Sequence, residues 1–138
     1  MPTPGIVTTN GICAAPPPPE TGHKITGGGR LFPNVSFGFV AKDTPLNGAL
    51  QYQDPDFMGG IKVHSQNGIA SVTFAPPCAT FDGSAKLNQQ PGYSFRVTAC
   101  DMANPGAGKD TFTIHVFGPN GFFYSKEGTL TEGNIVLH

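Results

Sequence analysis

The sequence predicts an all-β domain, and three observations predict it. Glycine (19) and proline (14) together make up almost a quarter of the 138 residues, and these are the two poorest helix formers. Apolar and polar residues alternate through several segments, as they do in a strand with one buried face. Turn residues punctuate these segments every 8–12 residues or so, which is the rhythm of a sandwich or barrel. We expect about ten short strands in an antiparallel meander, closing into a β-barrel or folding into a two-sheet β-sandwich.

The chain begins with a stretch of different character. Residues 1–22 hold six of the fourteen prolines, including the run Pro16-Pro17-Pro18-Pro19. Such a run lies extended without internal hydrogen bonds and acts as a semi-rigid spacer. We read it as a Pro-rich N-terminal arm or linker ahead of a single domain spanning 23–138. Ile6-Val7-Thr8-Thr9 and Ile12-Cys13 are β-prone. Ile6, Val7, Ile12 and Cys13 therefore form a candidate assembly arm, suited to adding a strand to the sheet edge of another copy. A plain interdomain linker is the alternative.

From Lys24 onward the strands follow one another. Ile25 to Phe32 is a strand interrupted by Gly27-Gly28-Gly29, glycines that mark a bend or a close approach of backbones. Val35, Phe37, Phe39 and Ala41 share an inward face, and so do Leu46, Leu50 and Tyr52. Ile61 to Ser65 alternates up to Asn67-Gly68, a dipeptide that favours a hairpin turn because both residues tolerate positive φ. Ala70, Val72 and Phe74 are the next inward set. Three segments with Pro-Gly turns then occupy Phe81 to Val116, after which Gly118-Pro119-Asn120-Gly121 and Glu132-Gly133-Asn134 read as the last two turns. An open meander would leave two unpaired edges, which invite aggregation. We therefore expect Ile135 to Leu137 to pair beside Ile25 to Leu31.

Charge restricts the partners. The net charge is −1 and only 12% of residues are charged, with the basic ones scattered. Nucleic-acid binding draws on a basic patch for counterion release, so no nucleic-acid partner is expected. No apolar run reaches the roughly 20 residues of a membrane-spanning helix, so no membrane insertion is expected. The first residues lack the charged-then-apolar pattern of a secretory leader, which leaves the compartment open.

Several segments together resemble a bacterial β-domain family known as the post-COAP domain. They are Ile25-Thr26-Gly27-Gly28-Gly29, Phe37-Gly38-Phe39, Leu50 to Asp54, Ile61 to Ser65, Tyr93 to Thr98, Gly108 to Phe112 and Gly133 to His138. The resemblance covers about 22–138 and leaves the arm and Cys13 outside. It implies a domain of secreted or cell-surface bacterial proteins, hence an extracellular location, and it supplies no catalytic residues.

Three cysteines are the first candidates for chemistry. Cys78 and Cys100 both fall on outward positions of adjacent strands, and a register placing them opposite, or one step off, permits a cross-strand disulfide. Cys13 then either links to another copy or, in a different pairing, reaches back to Cys78 or Cys100. Three reduced thiols, with Cys78 and Cys100 as small strand fillers, are the remaining alternative. No CxxC pair suggests zinc, and His64 and His115 read as surface histidines. Asp54 and Asp56 are weak candidates for a loop calcium site, with Asp43 near them and Asp82, Asp101 and Asp110 at another end. No EF-hand spacing occurs. No nucleophile elbow, zinc-protease motif or phosphate loop occurs either, and no cofactor is expected.

These readings converge on a non-catalytic, extracellular structural or interaction domain that is not an enzyme. Its partners would be proteins, including copies of itself joined into an oligomer or fibre through the arm. The alternative is a small-molecule or carbohydrate-binding β-barrel using aromatic residues at its mouth. Tyr52, Tyr93, Phe122, Phe123 and Tyr124 are the ligand-binding candidates for that reading.

Overall fold

A computed structural model describes residues 23–138 of the chain. Eight antiparallel strands run in sequence order around a closed barrel, so of the two expected architectures the barrel is the one found. The strands are β1 (Lys24–Leu31), β2 (Val35–Asp43), β3 (Leu46–Asp54), β4 (Ile61–Ala75), β5 (Cys78–Leu87), β6 (Gln90–Cys100), β7 (Thr111–Phe117) and β8 (Phe123–Leu137). Closure occurs where expected: Ile25 pairs with Leu137, Thr26 with Val136 and Gly27 with Ile135. The Pro-rich arm, with Ile6, Val7, Ile12 and Cys13, lies outside the described residues.

Eight strands replace the ten expected because two segments read as turns lie inside long strands, the first of them in a bulge. Asn67 and Gly68 do adopt positive φ, 61° and 79°, yet Ile61–Ala75 continues as one strand. Its register against β5 passes from Gln66↔Ser84 directly to Ser71↔Asp82, so Asn67 to Ala70 face Gly83 alone. A bulge changes which side chains point inward. Here Ile69 is buried and Ala70, expected inside, is exposed. Glu132-Gly133-Asn134 lies within β8 in register with Arg30, Gly29 and Gly28, and the register slips by one residue just before it, at Thr131. Gly133 has φ of 98°, and a side chain there would run into the Gly28 carbonyl, as one on Gly29 would run into that of Glu132. The glycines of β1 and β8 thus let the closing strands press together.

Alternation does the rest. Inward positions of all eight strands supply a core that includes Phe37, Phe39, Tyr52, Phe81, Phe95 and Phe112. Eight strands enclose an interior just wide enough for side chains to fill, and aromatic rings fill this one. Phe112 stacks on Phe37 across the barrel with centroids 3.9 Å apart, and contacts Tyr52 and Phe39 at 6.1 and 6.0 Å. Phe39 in turn meets Phe81, and Phe81 meets Phe95 edge-on. Val72, Phe74 and Leu137, expected in the core, are only partly buried at its margin.

One stretch of β8 lacks a strand neighbour on one side. Pairing with β7 ends at Thr111↔Thr129, and beyond it the loop between β6 and β7 takes over. Leu130 N donates to Asp110 O at 2.9 Å, and Gly108 N donates to Leu130 O at 2.6 Å. Ile135 N then donates to Asp110 Oδ2 at 2.8 Å and Leu137 N to Asp101 Oδ2 at 2.9 Å. The other oxygen of Asp110 accepts from the N–H groups of Met102 and Ala103, at 2.7 and 3.0 Å. This fully buried carboxylate therefore fixes both its own loop and the closing strand.

Each buried N–H deprived of its acceptor costs about 1–3 kcal/mol, so Asp110→Ala is expected to lower stability by about 3 kcal/mol or more. Asp101→Ala, which frees one partly buried N–H, is expected to cost about 1 kcal/mol. Denaturant unfolding followed by circular dichroism measures both, and equal losses would contradict this ranking.

Candidate functional site

Polar side chains enter the barrel interior at one mouth. Tyr52 and Asp54 occupy successive inward positions at the end of β3, because residues two apart in a strand share a face. Tyr124 occupies the first inward position of β8, after the turn at Pro119–Gly121. Across the interior the Tyr124 hydroxyl donates to Asp54 Oδ2 at 2.6 Å, and the Tyr52 and Tyr124 hydroxyls lie 2.6 Å apart. A hydroxyl has one proton, and that of Tyr124 goes to the carboxylate. Tyr52 is therefore the donor to Tyr124, and the three groups form a directed relay.

This relay is enclosed and anchored. Tyr52, Tyr124 and Asp54 are all buried, and the ring of Phe57 stands edge-on against Tyr124 at 4.8 Å. Asp54 Oδ1 accepts from Asp56 N at 3.0 Å, while Asp56 Oδ2 accepts from Asn34 Nδ2 at 2.8 Å and ties the β1–β2 turn to the β3–β4 loop. Burial pushes the Tyr52 hydroxyl well above the ordinary tyrosine range, and the nearby Asp54 charge adds to the rise. Burial does the same to Tyr124, reinforced by its hydrogen bond to Asp54. Both phenols thus serve as neutral hydrogen-bond donors.

The other sequence candidates are dispersed. Tyr93 and Phe122 meet edge-on at 5.5 Å, while Phe123 lies on the outer wall, half exposed. The five aromatic candidates therefore divide among an interior pair, a pair beside the β7–β8 turn and one outer ring. Asp54 and Asp56 take part in hydrogen bonds within the protein. Asp43 accepts from His23 N at 2.8 Å, and Asp82 faces Ser71 and Arg96 on the outer wall. Among the described residues no three His, Cys, Asp or Glu side chains gather in a metal-binding group. Cys78 and Cys100 are directly opposite in the β5–β6 ladder and form a disulfide, with Cα atoms 4.0 Å apart.

Grooves on the outer wall of the described residues include one on either side of β4. One, of about 640 Å³, crosses β2, β3 and β4 and is lined by Ser36, Gln51, Gln53, His64 and Ser65 among others. The second, of about 430 Å³, lies over β5 and β6, between the Asp82–Arg96 pair and the ring of Phe117. Neither groove was expected from the sequence. The signal for the second was present, because the offset that sets Cys78 opposite Cys100 also sets Asp82 opposite Arg96 and Ser84 opposite Ser94.

Comparison of the chain with protein-family models, with curated proteins and with solved structures returns no match.

Removing the middle member of the relay strands both neighbours. Tyr124→Phe is expected to cost about 2–3 kcal/mol and Tyr52→Phe about 1 kcal/mol, since the latter leaves the Tyr124–Asp54 bond intact. Because folding raises the affinity of both phenols for their protons, the stabilisation is complete below the unfolded-state value of about 10 and declines as pH rises above it. Tyrosinate absorbance from Tyr52 and Tyr124 should therefore appear only together with alkaline unfolding. An ultraviolet titration run alongside circular dichroism checks this, and early absorbance from all three tyrosines with the barrel still folded would contradict it.

Proposed function

We propose that this chain is a non-catalytic structural or interaction domain of an extracellular or cell-surface protein, linking to other copies through its N-terminal arm. The observation that carries this reading is the state of the interior. A continuous set of aromatic rings occupies it, and its polar groups, Tyr52, Tyr124, Asp54 and Asp110, are hydrogen-bonded to one another or to backbone. Such an interior contributes rigidity, and interactions with other molecules fall to the outer wall and the arm.

Two further points support the setting. The Cys78–Cys100 disulfide suits an oxidising compartment, since cytosolic thiols are kept reduced. The segments that resemble post-COAP domains suggest the same context. With Cys78 and Cys100 joined, Cys13 is the odd cysteine of three, and an odd cysteine in a secreted chain suggests pairing between chains. The β-prone Ile6, Val7 and Ile12 precede it in the sequence, ahead of the proline run.

The full chain purified without reductant is expected to run as a disulfide-linked dimer or larger species on non-reducing gels and in sedimentation. Cys13→Ser should abolish the covalent link while leaving the barrel's melting temperature unchanged. A chain that sediments as a monomer with and without reductant would overturn the linking role.

A further inference from the structure

We infer that the groove over β5 and β6 is a binding site for a neutral saccharide. The inference concerns the outer wall and does not depend on whether the arm joins copies of the chain. Outward residues of the barrel line up in rows across neighbouring strands. One row runs Ser71, Asp82, Arg96, His115 and Ser125, and the next runs Ser84, Ser94, Phe117 and Phe123. The groove lies where these rows meet.

Its floor is made of small residues, Ala70, Gly83, Ser84 and Ser94. On one side Asp82 accepts from the Ser71 hydroxyl at 2.9 Å and from Arg96 Nη2 at 3.4 Å. An exposed pair of this kind adds little stability. It leaves the Arg96 guanidinium, whose side chain is 62% exposed, beside Asp82 with most of its five donors available to a ligand. On the other side stands Phe117, 44% exposed, with Phe123, 52% exposed, 5.4 Å away. The His115 ring lies beside Phe117, inclined by only 26°, so the aromatic wall extends along β7.

The mixture selects the ligand chemistry. A wholly apolar ligand would bury Arg96, Asp82 and the serine hydroxyls without partners, which is costly. An anion would meet Arg96 but also the Asp82 carboxylate beside it. A neutral pyranose offers what both walls need: a C–H face to lie against Phe117, and hydroxyl groups that donate to Asp82 and accept from Arg96.

The test is a 1H–15N NMR titration of the full chain with neutral gluco-, manno-, galacto-, xylo- and N-acetylglucosamine oligosaccharides, taken to about 10 mM to reach weak sites. A galacturonan oligomer serves as the acidic comparison. At least one neutral series is expected to move the amides of Gly83, Ser84, Ser94, Arg96 and Phe117. Phe117→Ala and Arg96→Ala are each expected to weaken that binding about tenfold or more, and Gln51→Ala, in the other groove, to leave it unchanged. Phe117→Leu and Arg96→Lys, which keep bulk and charge but lose the ring face and the planar fork, should show the same losses with melting temperatures unaltered. No shift with any neutral series, shifts confined to other surfaces, binding of the acidic oligomer alone, or variants that bind as well as the parent would each overturn the proposal.

Discussion

Beyond Thr129 the closing strand of the barrel has β1 on one side and no strand on the other, and the Asp110 carboxylate is what makes that arrangement tolerable. A barrel is stable because closure leaves no unpaired edge. In this one the seam is shut by backbone pairing along β1 and by a buried side chain along the opposite edge. One oxygen of Asp110 holds Ile135 N while the other holds two N–H groups of its own loop. The loop therefore cannot leave without exposing the strand. Gly106 is buried directly against this carboxylate, where a side chain would collide with it, so loop and strand are packed as well as hydrogen-bonded.

The two mouths of the barrel use carboxylates differently. At the Asp110 mouth the partners are backbone N–H groups, and the result is a fixed chain path. At the other mouth Asp54 receives the Tyr124 hydroxyl, which receives that of Tyr52. Strands β3 and β8 are not neighbours in the sheet, so this relay crosses the interior and braces opposite walls. Phe112 does the same with apolar contacts, meeting Phe37 from the far side of the barrel.

Much of this fold was legible because alternation in a half-buried strand has a period of two and no competing explanation. Pairing of Ile25 with Leu137 followed from the need to remove edges, and the Cys78–Cys100 pairing from outward positions on consecutive strands. What misled was turn chemistry. Asn67-Gly68 and Gly133 have the positive φ of turns, but positive φ also occurs in a bulge, as at Asn67-Gly68, and within a paired strand, as at Gly133, and local sequence does not say whether the chain reverses. At the site, Tyr52, Tyr124 and Asp54 stood out singly, as ligand-binding aromatics and as a calcium candidate. Their union was hidden because it depends on the barrel's diameter, which brings β3 and β8 into contact through the core. The Asp82–Arg96 pair was hidden for a simpler reason: it follows from the disulfide register once that register is carried two steps along the strands.

An interior that is full moves the question of function to the wall. Inward positions of an eight-stranded barrel are constrained by volume, since adding or removing a methylene in a packed core is felt throughout it. Outward positions are free of that constraint, so a departure there from plain solvent-exposed polarity needs its own cause. The threonines at positions 73, 80, 98 and 113, which share one outer row, need none, because β-branched polar residues suit an exposed strand. Phe117 and Phe123 face each other directly in the β7–β8 ladder, where an aromatic cross-strand pair supports the sheet. Each still exposes about half of its surface, and the two sit together near the Arg96 guanidinium and a floor of small residues. Sheet pairing accounts for the two rings but not for the floor of small residues or the charged pair at its edge, and a ligand with one apolar face and a polar rim would use all of these features at once.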